Sequence, residues 1–437
     1  MKVLKFGGTS IASASQMKEV VRLVRKGKKN IIVFSALAGM TNRLIEIADY
    51  LYKKNPDGAN EIINLLESDY LNLTAELYAT QPYIEKAQEI LKEHFNEIRT
   101  FTKDLFTLFE EKVILAQGEL ISSAMMCLLL EEQKVNVAAI PALDFMRTDK
   151  NSEPDPVYIR EKLHQLLETN LDSDIYVTQG YICRNAYGEI DNMGRHGSDL
   201  TASLIGVAVQ AEEIQIWSDM DIMQNNDPQY VSRTTPVNRL EFEEAAELAY
   251  FGARILHPTC ILPAKLNNIP VRLLNTAHPE GPGTLISNQL DKGKIKAVAA
   301  KDDITSIRIK SGRMLLAYGF LRKVFEIFEN NRTPIDMVVT SEVGVSVTID
   351  QTKHLPEILD DLKKYGTVSV SRNMTIICVV GDLDWSNLGF ESKAVNALKD
   401  IPVQMISYGG SNYNISFLID SKDKKQALQA LSDNLFD

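Results

Sequence analysis

The chain opens on Val3-Leu4-Lys5-Phe6-Gly7-Gly8-Thr9-Ser10, and this stretch decides how the first half of the protein is interpreted. A short apolar strand carries Lys5 to a turn in which two glycines leave the backbone amides bare, and an amphipathic run from Met17 to Val24 follows. Amides at a helix start and a nearby ammonium are groups that hold phosphate. The stretch therefore predicts a phosphate-binding strand-turn-helix; taken alone, it is equally compatible with a tight turn beside an exposed lysine.

Length and composition indicate a globular protein of two or three domains. The chain has 437 residues, of which 45% are hydrophobic and 24% charged, and its net charge is −11. That charge argues against nucleic acid or anionic membranes as partners, so an anionic substrate has to be met by a local cluster of cations and helix N-termini. The start of the chain lacks the long apolar segment of a signal peptide, and we expect a cytoplasmic protein. The four cysteines lie far apart, which favours neither a disulfide framework nor a zinc site.

Strand and helix patterns alternate through the first two thirds of the chain. Asn30–Ser35 is predicted to be a buried strand, and the loop of small residues after it contains Thr41, which is a substrate contact or a helix cap. This alternation predicts an α/β sandwich with ligand-binding loops at the carboxyl edge of the sheet. Glu119 is predicted at the start of the buried helix Leu120–Leu130, where it caps the helix or faces a substrate ammonium.

A second stretch with the composition of a binding site is Gly194–Ala202. Arg195 offers a planar fork suited to a carboxylate, and Ser198 and Asp199 open the apolar helix that follows. An Asp cap beside a surface arginine explains the same residues. His196 has no second histidine near it in sequence, and we expect a hydrogen-bonded loop residue rather than a metal ligand or general base.

The last part of the chain has a different pattern, with more frequent strands and shorter helices. Strands and helices follow each other in two βαββαβ rounds, which predicts a repeat of two ferredoxin-like units. A Pro/Gly cluster at Gly281-Pro282-Gly283 and a Lys-rich segment precede them. We therefore predict a domain boundary between residues 294 and 295.

With these stretches in view, the chain resembles the aspartokinases, the members of the amino acid kinase family that phosphorylate the β-carboxylate of L-aspartate with ATP. The resemblance covers essentially the whole chain and implies an α/β/α sandwich at 1–294 followed by tandem ACT domains at 295–437. It also implies the first step of lysine, threonine and methionine biosynthesis. The resemblance is carried by Lys5–Ser10, Ser35–Asn42, Gly118-Glu119, Arg195–Ala202, Leu248–Ala253, Leu256-His257-Pro258 and Thr340-Ser341-Glu342.

The resemblance implies roles for the residues that match the family pattern. Lys5 would contact the transferring phosphoryl group, and Asp199 would orient Lys5. Arg195 would hold the α-carboxylate of aspartate, and Glu119 its ammonium. The remaining polar atoms of the substrate would be met by Thr41 and Ser198. The nucleotide would be bound by Lys5, Gly7, Gly8, Thr9, Ser10, Ser218, Asp219, Asp227 and Arg254. ATP chemistry implies Mg²⁺, for which no protein ligand is assigned.

The sequence departs from the family at a few positions. Ile222, Gln224 and Gln229 stand where the family commonly has Gly, Tyr and Arg, and His196 replaces a glycine. The two glutamines keep an alternative open, namely a catalytically weak member of the family that senses an amino acid. Another amino acid kinase, such as a glutamate kinase, is a third interpretation, which the tail disfavours.

The ACT-type tail implies both an assembly and a regulator. An exposed sheet edge pairs readily with its counterpart, so we expect a homodimer formed through residues after about 295. The tail implies feedback inhibition by L-lysine, with threonine as the alternative. Asp336 would meet an amino group of the effector, or it is simply a turn or strand-start residue. The matching effector positions are Met314, Phe320, Ile335, Asp336, Ser341 and Glu342.

Overall fold

The structure is a computed structural model that describes residues 1–25, 29–103, 105–219, 223–253, 256–311 and 318–436. The chain divides into two compact units. The first comprises Met1–Ile222 and Leu256–Asn288, and the second comprises Met223–Ile255 and Gln289–Asp437. Both units are of mixed α/β structure, as the sequence predicts. The boundary between residues 294 and 295 stays a prediction.

The first unit contains most of the alternating elements. Its strands are β1 (Lys2–Phe6), β2 (Asn30–Phe34), β3 (Val137–Ala139), β4 (Ile175–Gln179), β5 (Ile182–Arg184), β6 (Ile190–Asn192), β7 (Ile214–Ser218), β9 (Val271–Asn275) and β10 (Thr284–Ser287). Its helices are α1 (Ala14–Arg25), α2 (Met40–Tyr52), α3 (Pro56–Leu77), α4 (Gln81–Thr100), α5 (Leu108–Glu132), α6 (Ala142–Phe145), α7 (Pro156–Glu168), α8 (Gly197–Ala208) and α10 (Pro258–Leu266). A 3-10 turn, Gly8–Ile11, joins β1 to α1.

The main sheet of this unit has the order β3-β4-β2-β1-β7-β9-β10. All neighbouring pairs are parallel except β9 and β10, which are antiparallel. β1 lies between β2 and β7, with Lys5 opposite Val33 on one side and Ile216 on the other. The loops after β1, β2, β4 and β7 therefore emerge at one carboxyl edge, where parallel α/β sheets bind ligands.

Successive side chains of β1 point to opposite faces of the sheet. Leu4 and Phe6 enter the apolar core built with α1 to α5. The Phe6 ring stacks between Phe34 and Trp217, at centroid distances of 5.8 and 5.7 Å. Lys5 consequently points to the other face, on which α8 packs. Because the side chains of β1 alternate between the two faces of the sheet, Lys5 points toward α8, the helix that carries Asp199.

The helix α5 corrects one of our expectations. It begins at Leu108, after a capping box in which Thr107 and Glu110 satisfy each other's backbone amides. Glu119 therefore lies in the middle of α5, and its predicted position at a helix start is wrong. The helix is long and apolar enough to cross a membrane, but 83% of its most apolar window is buried inside the protein, as in a core helix.

The second unit is built around an antiparallel sheet. Its strands are β8 (Arg239–Glu241), β11 (Ile295–Lys310), β12 (Val338–Ser341), β13 (Gly344–Ile349), β14 (Thr367–Gly381), β15 (Val403–Tyr408) and β16 (Asn414–Asp420). Its helices are α9 (Phe242–Tyr250), α11 (Phe320–Asn330), α12 (Leu355–Leu362), α13 (Phe390–Ala397) and α14 (Lys424–Leu435).

Two long strands run through both halves of this sheet, whose order is β12-β13-β11-β14-β16-β15. The strand β11 begins at Ile295 and ends at Lys310. Its first half pairs with the end of β14 and supplies the closing strand of the second βαββαβ round. The helices α11 and α12 cover one half and α13 and α14 the other, each over its own apolar core.

Candidate active site

Two glycines let the chain turn sharply at the carboxyl end of β1. The Gly7 amide donates to the Trp217 carbonyl at 3.1 Å, and the Gly8 carbonyl accepts from the Ala38 amide at 3.2 Å. A Cβ at Gly8 would lie 2.4 Å from the Ala36 carbonyl oxygen, so only glycine lets this turn approach the loop after β2 so closely. The two loops therefore form one continuous backbone surface.

The two hydroxyls after the glycines have different surroundings. The exposed Thr9 hydroxyl donates to Asp219 Oδ1 at 2.7 Å, which joins the loops after β1 and β7. The Ser10 side chain is buried and donates to the Trp217 carbonyl at 3.4 Å, while the Thr276 hydroxyl donates to Ser10. Thr9 is thus accessible to a ligand, whereas Ser10 fixes the turn against the neighbouring strands.

Lys5 and Asp199 form an ion pair at the centre of the site. The Lys5 ammonium lies 2.6 Å from Asp199 Oδ1, and the two side chains are only 12% and 11% exposed. Asp199 stands in the first turn of α8 but provides no side-chain cap there. The ordinary capping role that the sequence allows for Asp199 is therefore replaced by a contact with β1.

Two helices begin at this edge of the sheet without a side-chain cap. The residue before α2 is Gly39, with φ of 81°, and the residue before α8 is His196, with φ of 58°. Both are in the left-handed region, which glycine adopts readily and which is uncommon for histidine. Helix N-termini without capping side chains leave amides that favour an anionic ligand.

Arg195 is the exposed cation of the site. Within the described parts of the chain its guanidinium makes no ion pair or hydrogen bond, so it remains available to a ligand carboxylate. The neighbouring His196 ring stacks on His257 at 5.6 Å, and the His196 carbonyl accepts from the Cys260 thiol at 3.5 Å. His196 therefore packs against a second histidine that is distant in sequence, and its predicted role as a hydrogen-bonded loop residue stays a prediction.

Glu119 presents a buried carboxylate to the same region. The residue is 4% exposed, and its Oε1 accepts the Ala36 amide at 3.1 Å. Its Oε2 is buried without a hydrogen-bond partner among the described residues. Burial raises the pKa of Glu119 to about 8, against the opposing effects of the Ala36 amide and the Lys5 ammonium. An unsatisfied buried carboxylate oxygen is suited to accept an ammonium group.

Thr41 and Ser198 lie in the first turns of the two uncapped helices. Thr41 is half-buried at the start of α2, and Ser198 is buried at the start of α8. A Cβ at Gly180 would lie 2.5 Å from the Ser198 Cβ, so Gly180 allows the loop after β4 to meet α8. The sequence analysis missed Gly180, although its position at the end of a predicted strand is a usable signal.

The other residues predicted to bind the nucleotide do not all belong to the same compact unit. Ser218 ends β7 and Asp219 follows it in the first unit. Asp227 belongs to the second unit, where its carboxylate accepts the Gln229 amide at 2.9 Å and so stabilises its own turn. Arg254 and Ile222 lie outside the described residues.

One predicted effector residue of the second unit, Asp336, belongs to a cluster of charged side chains. The Lys301 ammonium lies 2.7 Å from Asp336 Oδ1, 2.9 Å from Asp350 Oδ2 and 4.7 Å from the centre of the Tyr250 ring. The Tyr250 hydroxyl donates to Asp336 Oδ1 at 3.1 Å. The Asp336 side chain is only 3% exposed, and its Oδ2 has no hydrogen-bond partner among the described residues. Asp336 is thus already paired with a cation of its own chain.

The other predicted effector residues differ in how far they are exposed. Phe320 is buried at the start of α11, and Ile335 is half-buried. Ser341 and Glu342 are exposed at the turn between β12 and β13. Met314 lies outside the described residues.

The sequence of the chain matches two family profiles and is similar to known aspartokinases. The Amino acid kinase family profile matches residues 1–275, and the ACT domain profile matches residues 377–435. The chain is 33% identical to "Aspartokinase 1, chloroplastic" of Arabidopsis thaliana over 467 residues, covering all of this chain and 80% of that protein.

Solved structures of Escherichia coli aspartokinase III have the same fold. The complex with lysine and aspartate (T-state) matches with a TM-score of 0.84 and 29% identity, and the complex with aspartate and ADP (R-state) matches with 0.81 and 29%. Both comparisons cover 100% of each chain. The chain therefore belongs to the aspartokinases of the amino acid kinase family, which confirms the family and the fold class predicted from the sequence.

The two glycines of the first turn give a matched pair of variants. Gly8→Ala is expected to lower the free energy of unfolding by about 1–3 kcal/mol, because the new Cβ would meet the Ala36 backbone. Gly7→Ala is expected to change it by less than about 0.5 kcal/mol, because its Cβ would lie 3.6 Å from the nearest atom.

Urea unfolding followed by tryptophan fluorescence measures both values. The chain has two tryptophans, so a Trp385→Phe background makes the emission report on Trp217 beside the turn. Equal destabilisation by both substitutions would contradict the role given to Gly8.

Proposed function

We propose that this protein transfers the γ-phosphoryl group of ATP to the β-carboxylate of L-aspartate and so forms 4-phospho-L-aspartate. The observation that carries the proposal is the ion pair of Lys5 and Asp199 at the carboxyl edge of the sheet, beside the exposed Arg195 and the buried Glu119. These groups match a zwitterionic substrate with a second carboxylate. The E. coli relative in complex with aspartate and with ADP supports the same substrates.

In the proposed mechanism, aspartate is held by its two α-substituents. Arg195 binds the α-carboxylate in a bidentate manner, and Glu119 accepts the ammonium. Thr41 and Ser198, in the first turns of α2 and α8, hold the remaining polar atoms. The pKa of Glu119 is raised in the free protein, so the arrival of the substrate cation favours the ionised carboxylate.

The chemical step needs positioning and charge stabilisation rather than a general base. The β-carboxylate of aspartate is already ionised at neutral pH and attacks the γ-phosphorus directly. Lys5, oriented by Asp199, stabilises the charge that spreads over the phosphoryl oxygens. Gly7, Gly8, Thr9 and Ser10, with Ser218, Asp219, Asp227 and Arg254, are proposed to bind the nucleotide.

Mg²⁺ is part of the proposal because ATP carries it. The ion prefers octahedral oxygen coordination and is commonly held by phosphates, water and one or two carboxylates. Asp219, which accepts the Thr9 hydroxyl, is a carboxylate of the kind such a site uses. When bound, the ion neutralises charge on the phosphates during transfer.

We further propose that L-lysine inhibits the enzyme by binding beside Asp336, with L-threonine as the alternative effector. The E. coli relative bound to lysine in its T-state supports lysine. Asp336 Oδ2, which has no hydrogen-bond partner in the part of the chain that the structure describes, is a site for a ligand ammonium, and Lys301 is its competitor for the same carboxylate. We also propose that the protein forms a homodimer through the ACT region and that it is located in the cytoplasm.

A second candidate is a protein of the same family that binds an amino acid without turnover. The observation that favours it is the pair Gln224 and Gln229, which stand where the family commonly has Tyr and Arg. Its expected signature is calorimetric binding of an amino acid with no acyl phosphate formed.

A coupled assay of ADP release, with L-aspartate, L-glutamate or no acceptor, tests the proposed reaction. Hydroxylamine added to the reaction traps the acyl phosphate as a hydroxamate. We expect aspartate-dependent release with a matching amount of hydroxamate. Turnover that is independent of aspartate would refute the function, and binding without hydroxamate would favour the sensor.

The first prediction from this mechanism concerns Lys5. Lys5→Ala is expected to lower kcat by about a hundredfold or more with a smaller effect on the KM for aspartate, because a transition-state contact is lost. The matched control is Lys2→Ala on the same strand, whose ammonium pairs with Glu213 at 3.2 Å. The control should retain full turnover, and a Lys5 variant equal to it would rule out the phosphoryl role.

The second prediction separates binding from chemistry. Arg195→Ala is expected to raise the KM for aspartate about tenfold or more with little change in kcat, because the carboxylate contact is present in both the ground and the transition state. Arg195→Lys keeps the charge and loses the fork, so it should fall between the wild type and Arg195→Ala. An unchanged KM in Arg195→Ala would show that the guanidinium points elsewhere.

The third prediction concerns regulation. Lysine is expected to inhibit the wild type, and Asp336→Ala to weaken inhibition by about tenfold or more, because a hydrogen bond to a charged group is lost. Lys301→Met removes the competing cation, so this variant should be inhibited at lower lysine concentrations. The measurement is inhibition by lysine, and in parallel by threonine, at several aspartate concentrations. A wild type indifferent to lysine would end the lysine proposal, and Asp336→Ala inhibited as strongly as the wild type would end the assignment of Asp336.

A further inference from the structure

Two buried polar atoms near the candidate active site lack hydrogen-bond partners among the described residues. They are the Tyr70 hydroxyl and Glu119 Oε2, in residues that are 5% and 4% exposed. A buried polar group left without a partner is destabilising. Two such groups in one region therefore indicate an interaction that forms in another state of the protein.

The two residues border the same loop. The Ala36 amide donates to Glu119 Oε1, and the next four residues of the chain, 37–40, line a cleft of about 440 Å³ together with Tyr70 of α3. Burial and the negative charge of Glu119 raise the pKa of Tyr70. The hydroxyl and the carboxylate thus lie within electrostatic reach of each other.

The Tyr70 ring has a fixed place in the core. It packs edge-on against Phe95, with the ring centroids 6.0 Å apart. The charged and titratable groups that act on Glu119, or on which Glu119 acts, are Lys5 on β1, Tyr70 on α3 and Tyr181 after β4. Of the two tyrosines, Tyr70 is the one whose hydroxyl is fully buried with no hydrogen-bond partner in the described parts of the chain.

We propose that Tyr70 is a positioning residue whose hydroxyl donates to Glu119 Oε2 when that carboxylate is ionised. A hydrogen bond to the charged form favours ionisation and counteracts the effect of burial. The contact also holds the carboxylate in one orientation for the substrate ammonium. This inference rests on the proposed function only for its effect on aspartate binding, since the hydrogen bond requires the ionised carboxylate and not the substrate.

The variant Tyr70→Phe removes the donor and keeps the ring. Without the donor the pKa of Glu119 rises, so the ionised form needed to bind the ammonium is reached only at higher pH. At pH 7 the KM for aspartate is expected to rise about tenfold, the effect of losing a hydrogen bond to a charged group. At pH values above the titration of Glu119 the two proteins should converge, and kcat should be the same at every pH.

Two other tyrosines supply controls. The Tyr78 hydroxyl donates to the Met125 carbonyl at 2.8 Å, so Tyr78→Phe removes a buried hydroxyl from the residue after α3 without touching Glu119. Its KM–pH profile should follow the wild type. A profile shifted by Tyr181→Phe and not by Tyr70→Phe would overturn the assignment, as would a Tyr70→Phe profile identical to the wild type.

A titration without substrate keeps this test separate from the proposed function. Carbon-13 NMR of the glutamate carboxyl carbons, with Glu119→Gln to identify the signal, reports the Glu119 pKa directly. Tyr70→Phe is expected to raise that pKa, and an unchanged value would overturn the hydrogen bond even in a protein with no kinase activity. A raised pKa in a protein that does not use aspartate would support the hydrogen bond while the proposed function fails.

Discussion

The ion pair between Lys5 and Asp199 is the interaction on which the rest of the first unit depends. It joins the central strand to α8 at 2.6 Å with both side chains nearly buried. Taking two charges out of water is costly unless they meet each other and a ligand in good geometry. The sheet satisfies this condition because the alternation of β1 sends Phe6 into the core and Lys5 to the opposite face. A one-residue slip of β1 would exchange the two.

The pairing also determines how charge is distributed over the site. Lys5 is balanced by Asp199, so Arg195 and the uncapped starts of α2 and α8 remain as the positive features. Glu119 supplies the opposite sign in a buried environment that favours its neutral form. A substrate with an ammonium and two carboxylates complements all of these groups, whereas a simple anion would leave Glu119 unsatisfied. The protein, with a net charge of −11, therefore concentrates the positive features on a small area.

Much of this arrangement is predictable from local sequence, and the reasons for the exceptions are physical. The loops after β1 and β2 and the turn before α8 are predictable from the sequence. Each is marked by glycines or hydroxyl side chains within a few residues. The start of α5 was mispredicted because a helix that is apolar on every side has no periodic edge, although the capping box at Thr107 and Glu110 was available. Tyr70 and Thr276 depend on contacts between residues distant in sequence. No local pattern encodes such contacts.

The segment 223–253 differs from the rest of the kinase-like sequence in the unit to which it belongs. It lies within the part that matches the amino acid kinase family, yet it forms a compact unit with the regulatory sheet. Within that unit, α9 packs on β11 and β14, Glu247 accepts a hydrogen bond from Asn414, and Tyr250 donates to Asp336. An effector ammonium that takes Asp336 must compete with Lys301 and Tyr250 for the same carboxylate. Since a ligand shifts an equilibrium only through contacts that differ between two states, loss of the Tyr250 bond is a difference of the required kind. The Tyr250 bond therefore ties Asp336 to α9, a helix of the sequence that matches the amino acid kinase family, within the second unit.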